Sequence, residues 1–235
     1  DPVAFVFGAT GYVGRAVVEV AARTADVARV TAHARPGSPR ADHLEALASD
    51  RVIVDRTPLE DGPLSAALKA SNPSHVFVCH GTTAHRARLE DIQAPYLTVD
   101  LGLTRLVLEA AEALETPPRI VYLSAVGASP RARGAYLSAR WQAEEAVRSS
   151  GLPFTICRAP LLGGPDRGES RPLETAARIV ADPLLAAEAT LAYALWREAY
   201  RRLGYNPRDV QLSLADLPAD NLALMARIRS YMDQV

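Results

Sequence analysis

Lysine is almost missing from this chain: Lys69 is its only one, although lysine and arginine together number 26. Chemistry that needs a primary amine must use Lys69, and the remaining positive charge is arginine, which stays protonated and does not relay protons. Cysteine is also scarce. Cys79 and Cys157 each end an apolar run, and one pair cannot build a disulfide framework, so two buried free thiols are expected. Long apolar runs are absent. None approaches the roughly 20 residues of a membrane-spanning helix, and the chain enters "VAFVF" without a basic leader. Nor is there an excess of either charge, since 26 basic residues face 27 acidic ones for a formal charge of −1. That balance offers no field for nucleic-acid phosphates and no charged tail. The expectation is a soluble cytoplasmic protein with a small-molecule substrate, and no nucleic-acid or membrane partner.

What is present is a hydrophobic content of 49%, enough for one well-filled α/β domain in 235 residues. Short Val/Ile-rich runs at 3–7, 28–34, 51–55, 75–80, 119–125 and 153–159 alternate with helical patterns near 13–23, 41–48, 63–71, 96–113 and 136–149. Strands of that kind without clean polar alternation belong to a parallel sheet covered on both faces. The fold class is therefore α/β, a doubly wound parallel sheet of Rossmann type over residues 1–160. Residues 161–235 follow a Gly/Pro-rich turn and read as a small, mostly helical C-terminal cap. Within it, Leu191, Leu195, Trp196, Tyr200 and Leu203 have helical spacing and suit a core cover, a substrate lid or a homodimer surface.

"FVFGATGYVGRAVV" sets Gly8, Gly11 and Gly14 between the first strand and the first helix. There, glycine permits a tight turn, close approach to a pyrophosphate and packing of helix on strand, and the helix N-terminus supplies N–H groups from the stretch Thr10, Tyr12 and Val13. The alternative is a turn that merely packs. The second strand ends at Arg35, with Arg40 nearby, where an acid would suit the ribose hydroxyl of NAD and an arginine suits the 2′-phosphate of NADP. NADP(H) is expected over NAD(H), against the alternative of a solvated loop arginine. Asp55 stands where it can accept from an adenine amino group, or cap the next turn, and Arg56 can lie against the ring. Cys79, His80 and Gly81 close the fourth strand beside the binding crevice. Cys79, His80 and His85 match no usual zinc spacing, so no metal is expected. Asp100, inside an apolar helix, is either a satisfied buried acid or part of the polar shell of the site.

With "GATGYVG", the strand-end arginine, "VFVCHGTT" and "YLSAV…AYLSAR" together, the chain resembles the atypical branch of the short-chain dehydrogenase/reductase superfamily. Gly81, Thr82 and Thr83, with Asp166, Arg167, Glu169, Ser170, Arg171 and Pro172, make it most similar to the NADPH-binding group around the Tat-interacting protein. The likeness covers roughly residues 3–180. It implies a strand-end serine that polarises a carbonyl, a tyrosine that moves the proton, and a lysine four residues later that lowers the tyrosine pKa. Ser124 and Tyr136 take the first two positions, and Arg140 stands at the lysine position. Ala125 follows Ser124 where relatives usually repeat serine, and Ala159-Pro160 replaces their "PG". Two readings stay open: a reductase or epimerase acting through Tyr136 on a small carbonyl or sugar-like substrate, and a cofactor-binding scaffold or sensor with little redox activity.

Overall fold

Alternate residues of the first strand bury on opposite faces, and this divides the core into two layers. In the computed structural model, which describes residues 1–38 and 40–159, β1 (Val3–Phe7) turns Phe5 and Phe7 to one side and Ala4 and Val6 to the other. The chain divides into units Asp1–Pro160 and Leu161–Val235. The expected helix around Leu191 to Leu203, and the segment from Asp166 to Pro172, lie outside the described residues.

Among the described residues six parallel strands run in the order β3-β2-β1-β4-β5-β6. They are β1, β2 (Arg29–His33), β3 (Val52–Asp55), β4 (His75–Val78), β5 (Arg119–Ala125) and β6 (Phe154–Ala159). Phe5, Phe7, Val76, Val78, Ile120 and Tyr122 pack against α3 (Asp61–Ser71), α5 (Leu103–Glu112) and α6 (Ala135–Ser149). On the opposite face Val6, Val30, Ala32 and Val52 meet Val18 of α1 (Tyr12–Arg23) and Leu44 of α2 (Asp42–Glu45). The rings of Phe5 and Phe7 stack with centroids 4.7 Å apart, and each buried phenylalanine contributes about 1.5–3 kcal/mol. The order reverses between β1 and β4, so the crevice at their carboxyl ends is the switch point where such sheets bind ligands.

Three local expectations change. The helix expected over 41–48 shortens to Asp42–Glu45, because Ser49 and Val52 exchange backbone hydrogen bonds of 3.0 and 3.2 Å that turn the chain early into β3. The long helix over 96–113 begins as a π-helical segment, Tyr96–Gly102, before α5, and this wider winding carries the fully buried Asp100. The cysteines are not both buried. Cys157, on β6, the last strand of the sheet among the described residues, is exposed, and Cys79 is half-buried. A short helix that composition did not signal, α4 (Ala84–Leu89), is capped by Thr83, whose Oγ1 accepts from the Arg86 N–H at 3.2 Å. Among the described residues no helix is long and apolar enough to cross a membrane.

Candidate functional site

The three glycines of the first turn have separate physical reasons. Gly8 has φ +74°, and a Cβ there would lie 2.6 Å from the His80 nitrogen, so the turn presses directly on the chain leaving β4. A Cβ on Gly14 would fall inside contact distance of the Gly8 carbonyl oxygen, which lets α1 pack onto the turn. Gly11 is the N-cap of α1, with no side chain capping it, and an added Cβ would meet a single neighbour, Gly8 O at 3.1 Å. The helix start at Gly11, Tyr12, Val13 and Gly14 has no acidic residue in its first turn, so its positive end keeps its attraction for an anion. Thr10 belongs to the same turn.

Around this turn the chain places the arginines expected to read an adenosine. Arg35 follows β2 and makes a two-pronged ion pair with Glu90, Nη1 donating to Oε2 at 3.0 Å and Nη2 to Oε1. Arg56 donates Nη2–H to Glu45 Oε1 at 2.7 Å. Asp55 accepts the Thr57 hydroxyl at 2.7 Å and the Thr57 N–H at 3.3 Å, the turn-capping arrangement held open above. His33, buried between Phe7 and the Thr57 carbonyl, has its pKa lowered chiefly by burial.

At the carboxyl end of β4 the side chains interlock. The Thr104 hydroxyl donates to the Asp100 carbonyl at 2.6 Å, so its remaining capacity is to accept. His80 Nε2, 3.1 Å away, must then carry the proton, which leaves Nδ1 a bare acceptor. Burial, then the Arg140 charge and His33, push the His80 pKa down to about 3, so the ring is neutral at physiological pH. Burial likewise pushes the Cys79 thiol up to about 12, removing it as a nucleophile. His80 Nδ1, Thr82 Oγ1 and Arg140 Nε are buried without a hydrogen-bond partner among the described residues. Orphaned polar atoms of this kind, beside a glycine cradle and a helix N-terminus, fit a polar ligand lying across the ends of β1 and β4.

Tyr136 and Arg140 share a face of α6, as their spacing requires, but their surroundings differ. The Tyr136 ring is 37% exposed and meets Tyr96 edge to face at 5.4 Å. Arg140 is only 6% exposed. Its guanidinium pairs with Asp100 Oδ1 at 2.9 Å, donates to the Leu123 carbonyl at 2.9 Å and to the Tyr122 hydroxyl at 3.2 Å, and lies 5.4 Å from the centre of the Tyr136 ring. Gly81 makes this possible, since any Cβ there would collide with Arg140 Nη2. Burial raises the Asp100 pKa to about 6, opposed by the Arg140 cation and the Thr82 N–H; at neutral pH it remains the counter-ion. Arg140 is therefore fastened to the scaffold and largely neutralised.

Ser124 is buried, and its hydroxyl donates to Glu144 Oε1 at 2.6 Å. Glu144 also accepts from Arg158 at 2.8 and 2.6 Å and from Arg148 at 2.8 Å. Burial opposes its ionisation, yet the donors Arg158, Ser124 and Arg148 prevail and hold its pKa below the ordinary value. Composition had drawn no attention to Glu90, Glu144 or Tyr122. Each is an unremarkable helix or strand residue until the fold supplies its partner.

The family described as NAD(P)H-binding matches residues 8–182 of this chain. The curated protein fmp52, mitochondrial, of Aspergillus clavatus is 30% identical over 176 residues, 75% of this chain and 73% of that protein. Among solved structures, the Bordetella bronchiseptica enzyme WbmH in complex with NAD+ is similar at TM-score 0.59 and 18% identity, over 73% of this chain and 60% of that one. UDP-glucuronic acid 4-epimerase from Bacillus cereus, in complex with UDP-glucuronic acid and NAD, gives TM-score 0.54 and 17% identity over 66% and 55%. The chain thus spans less than two thirds of either of these solved structures.

Proposed function

Because this chain belongs to the NAD(P)H-binding family, we propose that it binds NADP(H) and acts as a reductase or epimerase on a small carbonyl or sugar-like substrate. The observation that carries the reading is the turn from Gly8 to Gly14, where glycines are required by contact with the chain leaving β4 and within the turn, and where the first turn of α1 carries no acidic residue. That turn would hold the pyrophosphate, Arg35 the 2′-phosphate, and Asp55 with Arg56 the adenine. His80 Nδ1 and Thr82 Oγ1 offer the nicotinamide half polar partners. The "GTT" segment at Gly81–Thr83 supports a place in the NADPH-binding group around the Tat-interacting protein.

When bound, the cofactor supplies a two-electron donor or acceptor. The protein's part is to place a proton. Tyr136 is the half-exposed phenol in the first turn of α6, and it delivers or accepts that proton. The Arg140 guanidinium lies 5.4 Å from the centre of that ring while paired with Asp100 at 2.9 Å. A second reading, a cofactor-binding scaffold or sensor, is favoured by the commitment of Ser124 to Glu144, which takes the usual carbonyl-polarising hydroxyl out of play.

Titration of the purified chain with NADPH and NADH, followed by cofactor fluorescence, tests the binding step. A panel of small aldehydes and ketones then separates the readings. Turnover lost in Tyr136→Phe with NADPH affinity retained supports the enzyme. NADPH binding without turnover in either protein supports the scaffold, and binding of neither cofactor sinks both.

A further inference from the structure

In the sheet β2 and β4 flank β1, whose carboxyl end carries the glycine turn. An ion pair ties together the segments that follow them. Arg35 lies just past β2, and Glu90 is the residue that closes α4 after β4. Both terminal nitrogens of Arg35 are engaged by the two oxygens of Glu90, and Arg86, one helical turn earlier, adds its Nε at 3.0 Å from Oε1. The Arg35 hydrogen bonds hold the Glu90 pKa below its ordinary value against a smaller effect of burial.

We propose that Glu90 is a specificity-determining residue, occupying the guanidinium fork of Arg35 and yielding it only to a ligand that brings its own phosphate. The inference rests on reading Arg35 as the partner of a 2′-phosphate. A carboxylate and a phosphate present the same pair of oxygens to a guanidinium, and one fork cannot grip both in two-pronged fashion. The exchange is feasible because Arg35 is 42% and Glu90 28% exposed, so neither charge is stranded in a dry interior during it. Glu90 is not abandoned either, since Arg86 stays on it as an i,i+4 partner when Arg35 swings away. A dinucleotide without the phosphate has nothing to offer the fork, and the ion pair stays closed across the two segments. Two arginines against one carboxylate leave a surplus positive charge that draws the phosphate in.

The test is calorimetric titration of the full chain with NADPH and with NADH, for the wild type, Glu90→Gln, Glu90→Ala and Arg35→Ala. Both Glu90 variants are expected to tighten NADPH about two- to fivefold, the worth of one exposed ion pair, while NADH changes less than about 1.5-fold. If Arg35→Ala erases a preference for NADPH but both Glu90 variants leave the two affinities unmoved, or move them equally, the role of Glu90 is wrong and the reading of Arg35 stands. If Arg35→Ala leaves the NADPH-to-NADH ratio unchanged, both fall.

Discussion

Replacing Glu144 by glutamine removes one charge and keeps the shape, which makes it a direct test of how the end of β5 is held. The carboxylate is fully buried and accepts from Ser124, twice from Arg158, and from Arg148. An amide keeps one acceptor oxygen, suited to Ser124 Oγ and Arg158 Nε, and turns an NH2 group toward Arg148 Nη2 and Arg158 Nη2. Two charge-assisted hydrogen bonds are lost and donors face donors. At about 1.5–3 kcal/mol each the loss is about 3–6 kcal/mol, but both arginines are more than a third exposed and recover water. The cost settles near about 3 kcal/mol, or a fall in Tm of about 6–12 °C for a unit of this size. The pH dependence is a second readout. Because the folded-state pKa of Glu144 is depressed, its contribution is present above the unfolded value of 4.5 and disappears as pH falls through the folded value. Urea unfolding of wild type and Glu144→Gln should therefore differ fully at pH 7 and converge below about pH 4.5. A difference under about 0.5 kcal/mol at pH 7, or one undiminished at pH 3, would refute the network.

Gly8→Ala places a Cβ 2.6 Å from the His80 nitrogen at a φ of +74°, so stability should fall by about 1–3 kcal/mol and NADPH binding should be lost; binding titration and thermal melts check both. His80 should stay neutral from pH 8 down to about 4, protonated on Nε2, and nitrogen-detected NMR showing an imidazolium at pH 5 would contradict its burial against Thr104 and Arg140. Arg140→Lys restores the amine common at this position but cannot reach Asp100, Leu123 and Tyr122 together; destabilisation by about 1–3 kcal/mol is expected in urea unfolding, and an unchanged midpoint would refute the clamp.

The alternation of Val-rich runs with helical patterns, and the position of Gly8, Gly11 and Gly14 between the first strand and helix, were enough by themselves to specify the parallel sheet and the turn that faces its switch point. Those features are local: they depend on side-chain period and on backbone freedom over a few residues, and neighbours in the chain carry them whole. The pairings that decide the character of the site are not local. Arg140 stands at the position the "AYLSAR" pattern marks, yet only the fold brings Asp100 from the π-helical segment to neutralise it, with Gly81 clearing the space. Ser124 occupies the strand end as expected, but its hydroxyl goes to Glu144, 20 residues away. Arg35 follows β2 as expected, and the segment that leaves β4 through α4 sets Glu90, 55 residues on, in its fork. Charge and hydrogen-bond partners are chosen by distance in space, and spatial distance between remote residues exists only once the sheet has assembled.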